Sequence, residues 1–353
     1  MSSAQTVAIV LAAGLGTRML SKTPKILHNL GGRPIIDHIL GSLAEIDVDE
    51  TVVLIGPELE KQGERFKPHD VVVQSERLGT GHAVKCAVNG RDLADKTVLI
   101  VYGDVPLLKP KTLDLLLDRQ RNDAALTLLV FRPADAGAYG RVVINGCQVE
   151  RIVEYLDATP KDRALTLCNS GVMAVDGSKL CHWLASLKND NVKKEYYLTD
   201  IIALAREDGE SCFYVEGDED EFAGINSRSD LAEAENLIQK RYRAAVMQEG
   251  VTLQDPHSVF LSYDTTFGQD VHVGPFTVFG PGVTVGDDVT IKGFCHFENA
   301  TIGEGATIGP YARLRPGASV KETAHIGNFV EIKNALIEPG AKVNHLAYVG
   351  DAT

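Results

Sequence analysis

Residues 11 to 25 set two glycines and two cations in a pattern suited to a polyphosphate: Leu11-Ala12-Ala13-Gly14-Leu15-Gly16-Thr17-Arg18-Met19, then Pro24-Lys25. Gly14 and Gly16 let the backbone come close to phosphate oxygens and aim N–H groups at them. Arg18 and Lys25 add the positive charge that a triphosphate needs. The segment is neither a dinucleotide fingerprint, which would need glycine at Met19, nor a Walker loop, which would end Gly-Lys-Ser/Thr. Asp104 follows the apolar run Val98–Tyr102, with Gly103 between them. A carboxylate there can help hold a hard Mg²⁺ bridging nucleotide phosphates, or can simply form a turn. Gln74, Gly79 and Thr80 lie in QSERLGTGHA, after another apolar run. The amide can read a base edge by donor and acceptor together, and a helix-capping turn is the plainer alternative. No Ser/His/Asp set or acidic dyad is evident, which suits a reaction whose nucleophile is already ionised.

These residues need a frame. Thr6–Leu11, Thr51–Ile55, Val71–Val73, Thr97–Tyr102 and Ala125–Phe131 read as strands, and Pro34–Leu43, Gly81–Val88 and Leu113–Arg121 as helices. Such alternation predicts an α/β fold with a mostly parallel sheet, whose ligands bind beyond the carboxyl ends of the strands. Asp230–Met247, free of Gly and Pro, predicts one connecting helix. From Phe267 to Val349 the period changes. Fifteen apolar residues recur with twelve steps of six and two of five, which is the signature of a parallel β-helix. Three six-residue sides make one coil, so Arg315 and Lys333, eighteen residues apart, stack as two cations beside Arg313. They are either surface charges or a phosphate clamp.

The whole chain has 353 residues, with 35 Lys and Arg against 48 Asp and Glu and a net charge of −13. That acidity disfavours general binding to nucleic acid or an anionic membrane. No apolar run approaches the roughly 18 residues of a membrane span. Met1 to Thr6 lacks the features of a signal peptide. Six scattered cysteines without a CxxC pair point to reduced thiols and a cytoplasmic setting.

The ordered motifs LAAGLGTRM…PK, QSERLGTGHA, VYGDVPLL, AYGR, VEYLDAT, CNSGVM, EYYLTD and GINSRSDL carry a resemblance. They resemble the pyrophosphorylase domain of the bacterial bifunctional N-acetylglucosamine-1-phosphate uridyltransferase/glucosamine-1-phosphate N-acetyltransferase family. ARLRPGA, HIGNFVEIK and HLAYVGD resemble that family's acetyltransferase domain. The resemblance implies a Rossmann-like nucleotidyltransferase domain over residues 1–228, a linker helix over 229–249 and a left-handed parallel β-helix over 250–353, assembled as a homotrimer. It implies Mg²⁺-dependent transfer of UMP from UTP to N-acetylglucosamine 1-phosphate, for peptidoglycan and lipopolysaccharide precursors. Asp104 and Asn226 would hold the metal, and Arg18 and Lys25 would serve catalysis. Leu11, Ala12, Ala13 and Gly14 would meet the nucleotide, and Gln74, Gly79 and Thr80 the uridine. Tyr102 and Gly103 would line nucleotide and sugar. Gly140, Glu154 and Asn169, with Tyr197 and Thr199, would form the sugar pocket. In the second domain Arg315 and Lys333 would bind the sugar phosphate, His345 would deprotonate the amine for attack on acetyl-CoA, and Tyr348 would add a contact. The sequence stops at Thr353 in mid-solenoid with no cap evident, so this second activity is expected to be lost or crippled. A nucleotidyltransferase for another nucleotide or hexose, and a catalytically dead trimeric scaffold, are the rival readings.

Overall fold

The computed structural model describes residues 5–122 and 124–352, so most of the Met1–Thr6 reading and the ending at Thr353 lie outside the described residues. The chain forms two compact units. One holds residues up to His28 with Pro34–Leu231, and the other holds Asn29–Arg33 with the chain from Ala232 onward.

In the first unit, β1 (Thr6–Ala12) is followed by α1 (Ile35–Ala44), β2 (Glu50–Ile55), β3 (Asp70–Val73) and α2 (Thr80–Val88). Then come β4 (Thr97–Tyr102), α3 (Pro110–Arg121) and β5 (Leu126–Phe131), close to the elements read from sequence. The β6 (Arg141–Asn145) and β7 (Gln148–Val153) hairpin, β8 (Cys168–Asp176) and β9 (Cys212–Glu216) complete the sheet, in the order β9-β5-β8-β4-β1-β2-β3. β1 pairs in parallel with both β2 and β4, while β8 runs antiparallel between β4 and β5. The chain moves outward from β1 to β3 on one side and returns as β4 on the other. The carboxyl ends of β1 and β4 therefore flank the switch point, where open α/β sheets bind ligands. Every residue of β1 is buried. Val7, Ile9 and Leu11 join one core cluster, and Ala8, Val10 and Ala12 the other. Burial on both faces explains the unbroken apolar run in the sequence.

The second unit is a solenoid of three parallel sheets of six, five and five short strands. Its register climbs Val273–Ile291–Ile308–Ile326–Val343, each pair one coil apart. Coils containing a five-residue step take 17 residues and the others 18. The repeated apolar residues fill the interior, where Phe279 and Phe297 meet edge to face at 5.3 Å. The helix read over Asp230–Met247 runs Arg228–Gln248. Its buried Gln239 accepts the Leu261 N–H at 2.8 Å and donates to the Leu261 carbonyl at 2.6 Å. Asn29–Arg33 belongs here because Gly31 donates to Glu235 at 2.8 Å and accepts from the Tyr263 N–H at 2.9 Å.

The solenoid corners turn through left-handed residues that are often not glycine. Phe276, Phe294, Tyr311 and Phe329 all have φ between 55° and 62°, and neighbouring rings stack at 4.9 Å. Stacking offsets part of the cost that a bulky residue has at positive φ. Gly327 faces the opposite constraint, because a Cβ there would overlap the Asn344 carbonyl oxygen of the next coil. That neighbour is backbone in a parallel ladder and cannot rotate away. Gly327→Ala should therefore destabilise the solenoid by about 1–3 kcal/mol or more. Calorimetry of the variant should show its solenoid transition well below that of the parent protein.

Candidate functional site

Beyond the end of β1 the chain passes Ala13–Gly16 into a short 3₁₀ turn, Thr17–Met19. Gly16 adopts φ 61°, and a Cβ there would lie 2.6 Å from that of Lys25. Gly14 differs: a Cβ on it would meet nothing within 4 Å, so packing does not require glycine there. Its bare backbone borders a cavity of about 270 Å³. The cavity is lined by Leu11, Ala12, Ala13, Gly14, Lys25, Gln74, Gly79, Thr80, Tyr102 and Asp104, all singled out from the sequence.

Lys25 is buried, and its ammonium pairs with the Asp104 carboxylate and donates to the Asn226 side-chain oxygen at 3.1 Å. Three distant segments thus meet on one charged atom. Two of them are fixed by backbone hydrogen bonds: Gly103 N–H to the Leu11 carbonyl at 2.9 Å, and Ile225 N–H to the Asp104 carbonyl at 2.9 Å. Behind Asn226, the amides of Asn226 and Ser227 donate to Asp230 at 2.8 and 2.9 Å. Burial works against the Asp230 charge, but those amides, the Ser227 hydroxyl and the Arg18 charge hold its carboxyl below its ordinary value. Arg18 itself is exposed and does not line the cavity.

The residues expected around a sugar form a neighbouring group. Thr199 Oγ1 donates to Glu154 at 3.1 Å, and Asn169 N–H donates to the Gly140 carbonyl at 2.9 Å. A Cβ on Gly140 would stand 3.1 Å from Ile152 and 3.4 Å from a Glu154 oxygen, so glycine keeps that side open. Tyr102 joins the two groups. Burial raises its phenol pKa, and the charges of Glu154 on one side and Asp104 on the other raise it further. Burial also pushes Tyr197 up to about 12, helped by Asp157, Glu154 and Glu195. Glu154 is itself raised, chiefly by burial. Two cavity-lining charges escaped the sequence reading, Arg77 and Glu195. Arg77 Nε donates to the Ala13 carbonyl at 2.7 Å and its guanidinium pairs with Glu58, so it braces the glycine loop. Its place within QSERLGTGHA was the available signal.

On the solenoid, Arg315 and Lys333 lie one coil apart, but neither is a bare cation. Arg315 donates to Glu331 at 2.8 Å, and Lys333 lies 3.6 Å from Asp351. Tyr348 is exposed and sits in register with Glu331, while His345, also exposed, lies on a different sheet.

Residues 8–170 match the MobA-like NTP transferase domain. Residues 264–298 and 299–334 match the bacterial transferase hexapeptide repeat. The bifunctional protein GlmU of Paramagnetospirillum magneticum is 52% identical over 354 residues, spanning 100% of this chain and 79% of that protein. The bifunctional protein GlmU of Rhodospirillum rubrum is 54% identical over 350 residues, spanning 99% and 78%. The chain belongs to the bifunctional GlmU family. A UDP-glucose pyrophosphorylase complexed with UDP-glucose, only 16% identical, superposes with a TM-score of 0.55 over 67% of this chain and 99% of its own. It supports the fold alone: the first unit is a Rossmann-like nucleotidyltransferase fold. The hexapeptide match and the three parallel sheets make the second a left-handed parallel β-helix. Among the described residues no helix is long and apolar enough to cross a membrane.

The acidic side of the site has a measurable signature. Burial, then the charges of Glu154, Asp190 and Asp157, raise Asp200 to about 6, above its unfolded value of about 3.9. Folding is therefore opposed by this group increasingly as pH rises from the unfolded value to about 6. Its side chain makes no cap hydrogen bond to the helix Ile201–Glu207 that follows. Asp200→Asn should accordingly melt at a higher temperature than the parent at pH 7.5, with the difference closing below pH 4.

Proposed function

We propose that the first unit transfers UMP from UTP to N-acetylglucosamine 1-phosphate, releasing pyrophosphate and UDP-N-acetylglucosamine. The reading rests above all on the meeting of Lys25, Asp104 and Asn226 at a glycine-lined cavity beyond the switch point. A phosphate oxygen of the sugar phosphate is ionised at neutral pH and attacks the α-phosphorus of UTP. The bond from that phosphorus to the bridging oxygen breaks, and pyrophosphate leaves with the electron pair. No general base is needed; the task is to bring two polyanions into line and neutralise the charge.

The donor set fits Mg²⁺. Asp104 and Asn226 offer a carboxylate and an amide oxygen that already converge on one cation, Lys25. Among the described residues no cluster of three or more His, Cys, Asp or Glu could form an all-protein cage. Two protein oxygens plus phosphates and water is the usual Mg²⁺ arrangement at nucleotides. Mg²⁺ bound there would neutralise phosphate charge. Lys25 neutralises it from the protein side, the Ala13–Gly16 backbone cradles the phosphates, and Arg18 approaches from the exposed turn. Gln74, Gly79 and Thr80 take the uracil, and Tyr102 and Gly103 lie between nucleotide and sugar. Gly140, Glu154, Asn169, Tyr197 and Thr199 take the N-acetylglucosamine.

For the solenoid we propose a sugar-phosphate subsite at Arg315, Lys333 and Tyr348, with His345 as base toward an amine and acetyl-CoA as the acyl donor. The placement of Arg315 and Lys333 on adjacent coils supports this, and a bound phosphate would take the place of Glu331 and Asp351 as their partner. We also propose a homotrimer, supported by the hexapeptide repeats and the three parallel sheets of the solenoid. Light scattering should return three times 38.1 kDa.

Pyrophosphate release across the four nucleoside triphosphates and several sugar 1-phosphates tests the first activity. UTP with N-acetylglucosamine 1-phosphate should be the best pair. Asp104→Ala should lower kcat on the order of 100-fold or more; it also leaves buried Lys25 without its carboxylate, so the variant should melt below the parent and its turnover is read at a temperature where it remains folded. Parental turnover in that variant would remove Asp104 from the mechanism.

A further inference from the structure

Gln74 stands at the end of β3 with its side chain 4% exposed, against the first turn of α2. Its Nε2 donates to the Gly79 carbonyl at 3.3 Å and lies 3.1 Å from Nδ1 of His82. The orientation of the amide follows from chemistry. A carbonyl only accepts, so the NH₂ must point toward Gly79. The same NH₂ faces His82, which can be satisfied only if Nδ1 carries no proton. His82 must then be the tautomer with its proton on Nε2. Both N–H groups of Gln74 are thereby engaged by protein acceptors, and Oε1 is the polar atom left for a ligand in the cavity that Gln74 lines.

That leaves an acceptor facing the base. A pyrimidine presenting N3–H, as uracil does, donates to it. Cytosine presents a bare N3 and would set two acceptors against each other. An amide free to turn over could serve either base, so the lock matters more than the glutamine itself. We propose that His82 is a positioning residue that fixes the Gln74 amide with its oxygen toward the base, and so selects uracil over cytosine. This rests on the uridylyl reading given above. His82 touches neither base nor phosphate in this scheme; it sits half-buried behind Gln74, with Cys86 Sγ 3.7 Å from its Nε2. It also lines a second cavity of about 470 Å³ on the other side of α2, with Leu78, Lys85 and Tyr196. His82 is not among the residues lining the nucleotide cavity, which suits a support and not a contact.

The test compares UTP with CTP as the substrate of the whole chain, reading kcat/KM for each. His82→Phe keeps the ring and removes the acceptor. His82→Asn is smaller but can place an oxygen near the Nδ1 position. His82→Phe should reduce the UTP/CTP ratio roughly tenfold, the scale of one hydrogen bond, with KM for the sugar phosphate unchanged. His82→Asn should restore most of the ratio. A merely structural role predicts that both variants lose activity with both nucleotides in proportion, and that result would overturn the proposal. A ratio held within twofold in His82→Phe would overturn it as well. Should His82→Phe fail to fold, ¹⁵N chemical shifts of the wild-type imidazole decide the matter: a bare Nδ1 and protonated Nε2 are required, and the opposite tautomer refutes the lock. If the wild-type protein itself favours another nucleotide, the uridylyl reading fails and takes this inference with it. If it favours UTP and the variants do not shift the ratio, this inference alone falls.

Discussion

Lys25 places a positive charge where water hardly reaches it, and a buried ammonium is tolerated only when it is paired. Its partners come from far along the chain: Asp104 is 79 residues away and Asn226 is 201. The loop after β1, the loop after β4 and the segment leading into the Arg228–Gln248 helix must all be correctly placed for that charge to be satisfied. Displacing the Asp104 segment would leave the buried Lys25 ammonium without its counter-charge, which is far more costly than a missing surface contact. The ion pair therefore couples the fold of the first unit to the geometry of its site. It also stores positive charge where polyphosphate would need it, already desolvated and already oriented.

The parts of this arrangement that were legible in the sequence are the local ones. Ala12 to Arg18 reads as a phosphate-binding turn because glycine spacing and charge are recorded within a few residues. β1, β2 and β4 read as strands because burial on both faces leaves polar residues only near their ends. The hairpin Arg141–Asn145 with Gln148–Val153 mixes exposed and buried positions, and nothing in its composition announces it. Arg77 was passed over because its role depends on the Ala13 carbonyl, 64 residues earlier, and not on its neighbours. Asn29–Arg33 leaves the unit that surrounds it in sequence for the same reason: Glu235 and Tyr263 hold Gly31, and both are more than two hundred residues away.

The solenoid shows the opposite balance. Its period of six is written in the sequence because each coil packs on the next, so one structural demand recurs at every step. What periodicity does not reveal is how the corners are sustained. Phe276, Phe294, Tyr311 and Phe329 take a backbone conformation that ordinarily favours glycine, and they do so in a column of stacked rings. A reader of the pattern sees apolar residues in register with an exterior position and has no local reason to expect them there. The cations Arg315 and Lys333 were similarly placed by arithmetic, but the carboxylates that hold them belong to adjacent strands and coils.

Charge in the first unit is segregated, and the segregation bears on how a sugar phosphate enters. Lys25 lies beside Asp104 at the glycine loop, with Arg18 on the turn that follows it, whereas Glu154, Asp157 and Asp200 act on one another at the other end, where Lys193 offsets part of the charge on Glu154. Tyr102 lines the cavity with Asp104 and also feels the charge of Glu154. Carboxylates accept hydrogen bonds from neutral hydroxyl groups but repel a phosphate dianion. In the proposed reaction, Glu154 and its neighbours would admit the uncharged ring of a sugar 1-phosphate and turn its phosphate toward the cations. Burial makes the same carboxylates costly to keep ionised, which is why Glu154 and Asp200 are raised. On the proposed reading, this stability cost would serve to orient a molecule that is neutral at one end and anionic at the other. Binding equal charge at both ends would leave the nucleophilic oxygen free to point away from the α-phosphorus, and alignment is the larger part of this chemistry.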